Sequence, residues 1–192
     1  MELPGHRIRV LAVMVLAALT VCSFGLPAAA AQSVLSAAET DVAAVGAVSV
    51  QTSAEETVHL YFADRQSRFL RAEGRVFAPP ADSLAFGRAI LNMLIRGPLG
   101  DLERTLPAHT VVRAFFIDGS TAVVDFTDTI REQHPGGCRT EMVTVFSIVN
   151  SLVLNMDGID SVRILIDGRE PDTLAGHIDL HPAYAADMLL VR

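Results

Sequence analysis

Val111-Val112-Arg113-Ala114-Phe115-Phe116-Ile117, then Asp118-Gly119-Ser120, then Thr121-Ala122-Val123-Val124-Asp125-Phe126, are two β-rich runs joined by residues suited to a tight reversal. Branched and aromatic side chains favour the pleated backbone, and glycine accepts the positive φ that a short turn asks for. The segment reads as a β-hairpin. A hairpin is marginal alone in water, so its neighbours in the chain must cover its apolar face.

On the C-terminal side, Gly136-Gly137 precede a helix predicted over 139–155, in which Met142, Val145, Phe146, Val149, Leu152, Val153 and Met156 recur at helical spacing. Thr144, Ser147, Ser151 and Asn155 form its opposite, polar stripe. Asp157-Gly158 turns the chain into a strand at 161–166, Asp167-Gly168 turns it again, and a last short strand is expected around Leu174–Leu180.

On the N-terminal side, Asp82 is placed to cap a helix running to about Arg96, with Leu84, Phe86, Ile90, Leu91, Met93, Leu94 and Ile95 on a broad buried face and Gly97-Pro98 ending it. Before it, Val58–Phe62 and Phe69–Phe77 read as two strands around a turn at Asp64–Ser67. The resulting order predicts an α+β fold, a two-layer sandwich in which a mixed β-sheet carries two helices packed on one face.

The front of the chain has a different character. His6, Arg7 and Arg9 precede an almost wholly apolar run from Val10 to Leu26, and Pro27-Ala28-Ala29-Ala30-Ala31-Gln32 supplies the small residues that a signal peptidase reads. We expect a signal peptide over 1–31, a flexible linker over 32–56 rich in Ala, Val, Ser and Thr, and a domain over 57–192. An uncleaved anchor, or lipidation at Cys22, is the alternative, although the branched Val21 before that cysteine is a poor lipobox residue. Cleavage after Ala31 leaves Cys138 as the one cysteine of the mature chain, which excludes an internal disulfide. All 15 basic residues are arginine and the net charge of −7 disfavours broad binding to nucleic acid or to an anionic membrane.

Several blocks together resemble the GerMN domain: Val58-His59-Leu60-Tyr61-Phe62-Ala63-Asp64-Arg65, Leu94-Ile95-Arg96-Gly97-Pro98, Phe116-Ile117-Asp118-Gly119 and Ala122-Val123-Val124-Asp125-Phe126. Phe146-Ser147-Ile148-Val149-Asn150-Ser151-Leu152, Ile164-Leu165-Ile166-Asp167-Gly168 and Thr173-Leu174-Ala175-Gly176-His177-Ile178-Asp179-Leu180 continue the series in order. The resemblance implies an exported, non-catalytic protein of the periplasm or extracytoplasmic cell envelope, of the kind called sporulation and spore germination proteins. It would act by scaffolding or by binding an envelope protein or peptidoglycan, with a homo-oligomer as a further option. Cys138 stands where the family more often shows Ser, three residues ahead of Glu141, so a capping box there would lose its better acceptor.

Four residues are candidates for binding: Ser147 and Asn150 on the second helix, and His177 and Asp179 in the last block. On an extended segment His177, Asp179 and His181 would point the same way and offer ligands to zinc or iron, which makes a metal- or ligand-binding sensor the rival reading. The resemblance implies no metal and no cofactor. A hydrolase built on Ser147 is weaker still, because that serine lies inside a helix and not in a strained nucleophile elbow. Arg65, Arg68, Arg71 and Arg75 along the first hairpin read either as a grip for anionic groups or as a solvated edge that discourages aggregation. Cys138, beside Arg139 at a helix start, is either a redox site or a tolerated serine substitute.

Overall fold

In the computed structural model, which describes residues 55–192, the chain enters a hairpin of β1 (Glu56–Ala63) and antiparallel β2 (Leu70–Phe77). The expected signal segment 1–31 with Cys22, and positions 32–54 of the expected linker, lie outside the described residues. Val58, Leu60 and Phe62 are buried on alternate positions of β1, each worth about 1.5–3 kcal/mol by removal from water.

Helix α1 (Ser83–Arg96) starts as its residues dictate: the Asp82 carboxylate accepts from the Ala85 N–H at 2.7 Å. Its last carbonyls are taken up by two arginines. Arg75 donates to Met93 O at 3.4 Å and Gly97 O at 2.6 Å, while Arg104 donates to Ile95 O and Arg96 O. These cations also complement the negative end of the helix dipole. Arg75 is therefore an interior cap of α1, held by Glu73 at 2.7 Å with its guanidinium carbon 5.5 Å from the centre of the Phe62 ring, so it does not belong to a surface arginine row.

The hairpin foreseen around Gly119 is β3 (Val112–Asp118) with β4 (Thr121–Phe126). β4 is followed by a short turn of helix, α2 (Thr129–Glu132), then by α3 (Cys138–Val153), then by β5 (Ser161–Ile166) lying parallel to β4. A parallel neighbour needs such a helical crossover. The sheet order β3-β4-β5 mixes antiparallel and parallel pairing, and the outer edge of β5 is closed by Tyr184, which exchanges two 2.8 Å bonds with Val162. After Ile166, Asp167 and Gly168 both take positive φ, 51° and 74°, which is the pattern an Asp-Gly reversal favours.

The α+β class holds, and the strands divide into a two-stranded and a three-stranded sheet. Leu60, Phe62, Ile90, Leu94, Phe115, Val124, Ile148, Leu152 and Ile164 meet in one core between the strands and both long helices. Phe115 sits so close to α1 that only Gly87 fits beneath it: a Cβ there would lie 2.2 Å from the ring. Side chains alternate along β3, so Phe116 emerges on the opposite face and is 44% exposed.

The strand expected around Leu174–Leu180 is absent. That segment is a series of bends with a single bridge between Thr173 and Asp179, pinned by the buried Leu174 and Leu180. Its amides are drawn inward by a carboxylate, as described next. A 3-10 turn at Met188–Leu190 brings the last residues beside β2.

Candidate functional site

The polar stripe of α3 faces β1. Asn155 accepts from the His59 N–H at 2.8 Å and donates to the His59 carbonyl at 2.8 Å. Ser151 accepts from the Tyr61 N–H at 3.0 Å, and Ser147 donates to the Tyr61 carbonyl at 2.5 Å. One step further, Ala63 exchanges backbone bonds of 3.2 and 2.8 Å with Glu103. Every outward-facing backbone group from His59 to Ala63 is thus satisfied, two residues by the side chains of Asn155, Ser151 and Ser147 and one by a loop, which is the physical reason β1 ends its sheet. Thr144 extends the stripe: it donates to Thr105 O at 2.6 Å, and Thr105 in turn bonds Ser147 Oγ at 2.7 Å.

Ser147 is fully buried, with its hydroxyl engaged by Tyr61 and Thr105. Asn150 is equally buried and pairs with the backbone of Asp187, donating to its carbonyl at 3.1 Å and accepting from its N–H at 3.0 Å. The two candidates on α3 therefore hold β1 and the C-terminal segment in place.

Glu141 is not among the four residues that the sequence marks for binding, and the structure makes it central. Its carboxylate is wholly buried, bonds His177 Nδ1 at 2.6 Å, and accepts from the N–H groups of Ala175, His177 and Ile178 at 3.0–3.1 Å. Burial alone would raise its pKa, but the His177 bond and the three amides outweigh it and bring the value from 4.5 down to about 2. A glutamate three residues into an apolar helix was the available signal. Its local spacing from position 138 suggests only half of a capping box. The helix instead begins at Gly137 with no side-chain cap, and Cys138, exposed and unbonded to sulfur, already lies in the first turn.

His177 and Asp179 are both solvent-facing, but they turn to different partners. His177 reaches inward to Glu141, whereas Asp179 holds His181, accepting from its N–H at 2.9 Å and its Nδ1 at 2.8 Å, with Asp172 on the far side of that ring at 3.4 Å. The Asp179 bond raises the His181 pKa, and the His181 backbone and ring bonds lower that of Asp179. Among the described residues no group of three His, Cys, Asp or Glu side chains is arranged to hold a metal ion. A broad open cleft of about 610 Å³ between Asp128, Arg131, Asp167, Arg169, Glu170 and Asp172 mixes both signs of charge.

The open face of β3-β4-β5 is the other candidate surface. Across it run the aligned residues Phe116, Val123 and Arg163, with Leu165 on the same face of β5, and Thr121 bonded to Ser161 at 3.0 Å at the end of the sheet. Arg113 bridges to the buried Asp125 at 3.1 Å at the other end.

The family model Germane, described as sporulation and spore germination, matches residues 59–172. Among solved structures, the first GerMN domain of the sporulation protein GerM from Bacillus subtilis is similar at a TM-score of 0.53 and 20% identity, over 68% of this chain and 97% of that one. The tandem GerMN domains of the same protein give a TM-score of 0.53 and 20% identity over 68% of this chain, which spans 46% of theirs. A candidate lipoprotein from Clostridium perfringens gives 0.51 and 21%, over 68% of this chain and 87% of that one. No curated protein matches.

Proposed function

The chain belongs to the Germane family of sporulation and spore germination proteins, and on that footing we propose that it is an exported envelope protein that works by binding and not by catalysis. Export is supported by the apolar run from Val10 to Leu26 with its small-residue cleavage pattern, and by the candidate lipoprotein among proteins of like fold.

The observation that carries the reading is the fate of the polar side chains on α3. Thr144, Ser147, Asn150 and Ser151 on that helix, and Asn155 just beyond it, are each spent on a backbone group of another segment. Such a helix fixes neighbouring elements, and the contacts with a partner fall to what those elements display. We assign the main contact to the outer sheet face around the exposed Phe116 and the part-exposed Leu165, with the buried Val123 between them and a charged rim. His177 and Asp179 on their exposed loop are candidate contacts, and Ser147 and Asn150 support the surface from within. The partner is another envelope component, protein or peptidoglycan.

A photo-crosslinking residue at position 116, activated in intact cells, is expected to give a dominant envelope adduct that is lost when Leu165→Arg is added. Release of muropeptides from purified sacculi in a Ser147-dependent manner would overturn the proposal.

A further inference from the structure

The β1-β2 sheet has two edges, and only one is closed. On β1 the outward groups are taken up by α3 and Glu103, as above. From the register Val58↔Arg75 and Leu60↔Glu73, the residues of β2 whose backbone turns away from β1 are Leu70, Ala72, Gly74 and Val76. The Leu70 carbonyl accepts from the Arg192 N–H at 3.0 Å, which confirms the parity. The outward backbone groups of Ala72, Gly74 and Val76 meet no partner among the described residues, and all three residues are exposed. None of the devices that usually blunt such an edge is present on them: no proline, no charge, no bulge.

We propose that this edge pairs with the same edge of a second copy, antiparallel about a two-fold axis at Gly74. Charge selects both the occupant and the register. With Gly74 opposite Gly74, Ala72 faces Val76, and Glu73 faces Arg75 of the other copy on both sides of the axis. A slip of two residues one way sets Glu73 against Glu73 and Arg71 against Arg75; a slip the other way sets Arg75 against Arg75. Like charges directly opposite are destabilising, and a slip of one residue would oppose outward to inward backbone groups. The self-complementary register is the one that satisfies both rules.

The site is also prepared. Glu73 and Arg75 already lie 2.7 Å apart with side chains only 16% and 10% exposed, so little side-chain freedom remains to be lost when the second pair joins them. Two exposed apolar side chains flank the edge: Val76, 64% exposed on the strand itself, and Leu99, 82% exposed, whose N–H is bonded to the Glu73 carboxylate at 3.0 Å. Their burial adds the apolar contact that backbone pairing alone lacks. This surface is separate from the open face of β3-β4-β5, and the inference stands whichever envelope component binds there.

Sedimentation of the purified full chain under reducing conditions, across a concentration series, tests it. Wild type is expected to dimerise. Ala72→Pro removes only an outward N–H, so the hairpin should persist by circular dichroism while dimerisation weakens about tenfold or more. Val76→Arg, on the exposed face of the edge, should weaken it similarly and decides the matter if the proline variant does not fold. A wild type that stays monomeric at its highest soluble concentration, or a dimer retained in the folded edge variants, overturns the proposal.

Discussion

Asn155 stands beside His59 as the next strand of the sheet would: one amide side chain accepts from the His59 N–H and donates to its carbonyl, both at 2.8 Å. Donor and acceptor are spaced as in a β-ladder. Asn155→Ala returns both groups to water at a partly exposed edge, which we expect to cost about 1 kcal/mol. A lower denaturant midpoint with an unchanged slope, together with faster hydrogen exchange at the His59 amide, would register the loss.

Glu141→Gln tests the carboxylate that gathers the 175–178 loop. The neutral amide keeps the shape but weakens the charge-assisted bonds to His177 and to three backbone N–H groups, for an expected loss of about 2–3 kcal/mol at neutral pH. The pH profile supplies the sign. Because the folded value lies near 2 and the ordinary value is 4.5, Glu141 contributes fully above pH 4.5, and its contribution is lost as pH falls towards 2. Thermal melts of wild type should therefore drop steeply in that window, and those of the Gln variant should drop less.

Periodicity and turn chemistry carried most of the fold. The Asp82 cap, the Asp118-Gly119 reversal, the Asp167-Gly168 turn and the alternating strand at Ser161–Ile166 each depend on interactions within a few residues, so a linear reading finds them. The failures share a cause in long-range pairing. Leu174–Leu180 alternates like a strand, but Glu141, more than thirty residues earlier, claims its amides. Arg75 looks like one of a row of surface arginines until Met93 and Gly97 present their carbonyls to it. The polar stripe of α3 was legible as a stripe, yet periodicity does not say whether a polar face meets water or a strand edge, and here it meets β1. Ser147 and Asn150 were visible for the same reason that made their role ambiguous: they are polar residues in an apolar helix.

Gly87→Ala measures how tightly α1 lies on β3. Alanine would favour the helix by about 1 kcal/mol in isolation. Here its methyl carbon would meet the Phe115 ring at 2.2 Å, and that ring is itself buried in the core. We expect a net destabilisation of about 1–3 kcal/mol from overpacking. Adding Phe115→Leu should recover part of it, since the smaller side chain vacates the contested space. Equal loss in the single and double variants in a thermodynamic cycle would disprove the contact as the cause.

His134 links the loop before α3 to the helix itself, and its geometry specifies its charge. Its Nδ1 accepts from the Gly136 N–H at 3.0 Å, so that nitrogen carries no proton; Nε2 then donates to Thr144 Oγ1 at 3.0 Å, whose own proton goes to the Thr105 carbonyl. A second proton on the ring would turn Nδ1 into a donor facing another donor. Burial lowers the His134 pKa, against a smaller upward pull from Glu141. The unfolded chain therefore takes up a proton first as pH falls below 6.5, and stability declines from that point downward, ahead of the window in which Glu141 titrates. His134→Gln, which keeps an acceptor and a donor but does not titrate, should flatten the profile between neutrality and pH 5 while leaving the steeper acid limb intact. A variant whose stability falls as steeply as wild type across that upper range would show that the imidazole does not sense the change.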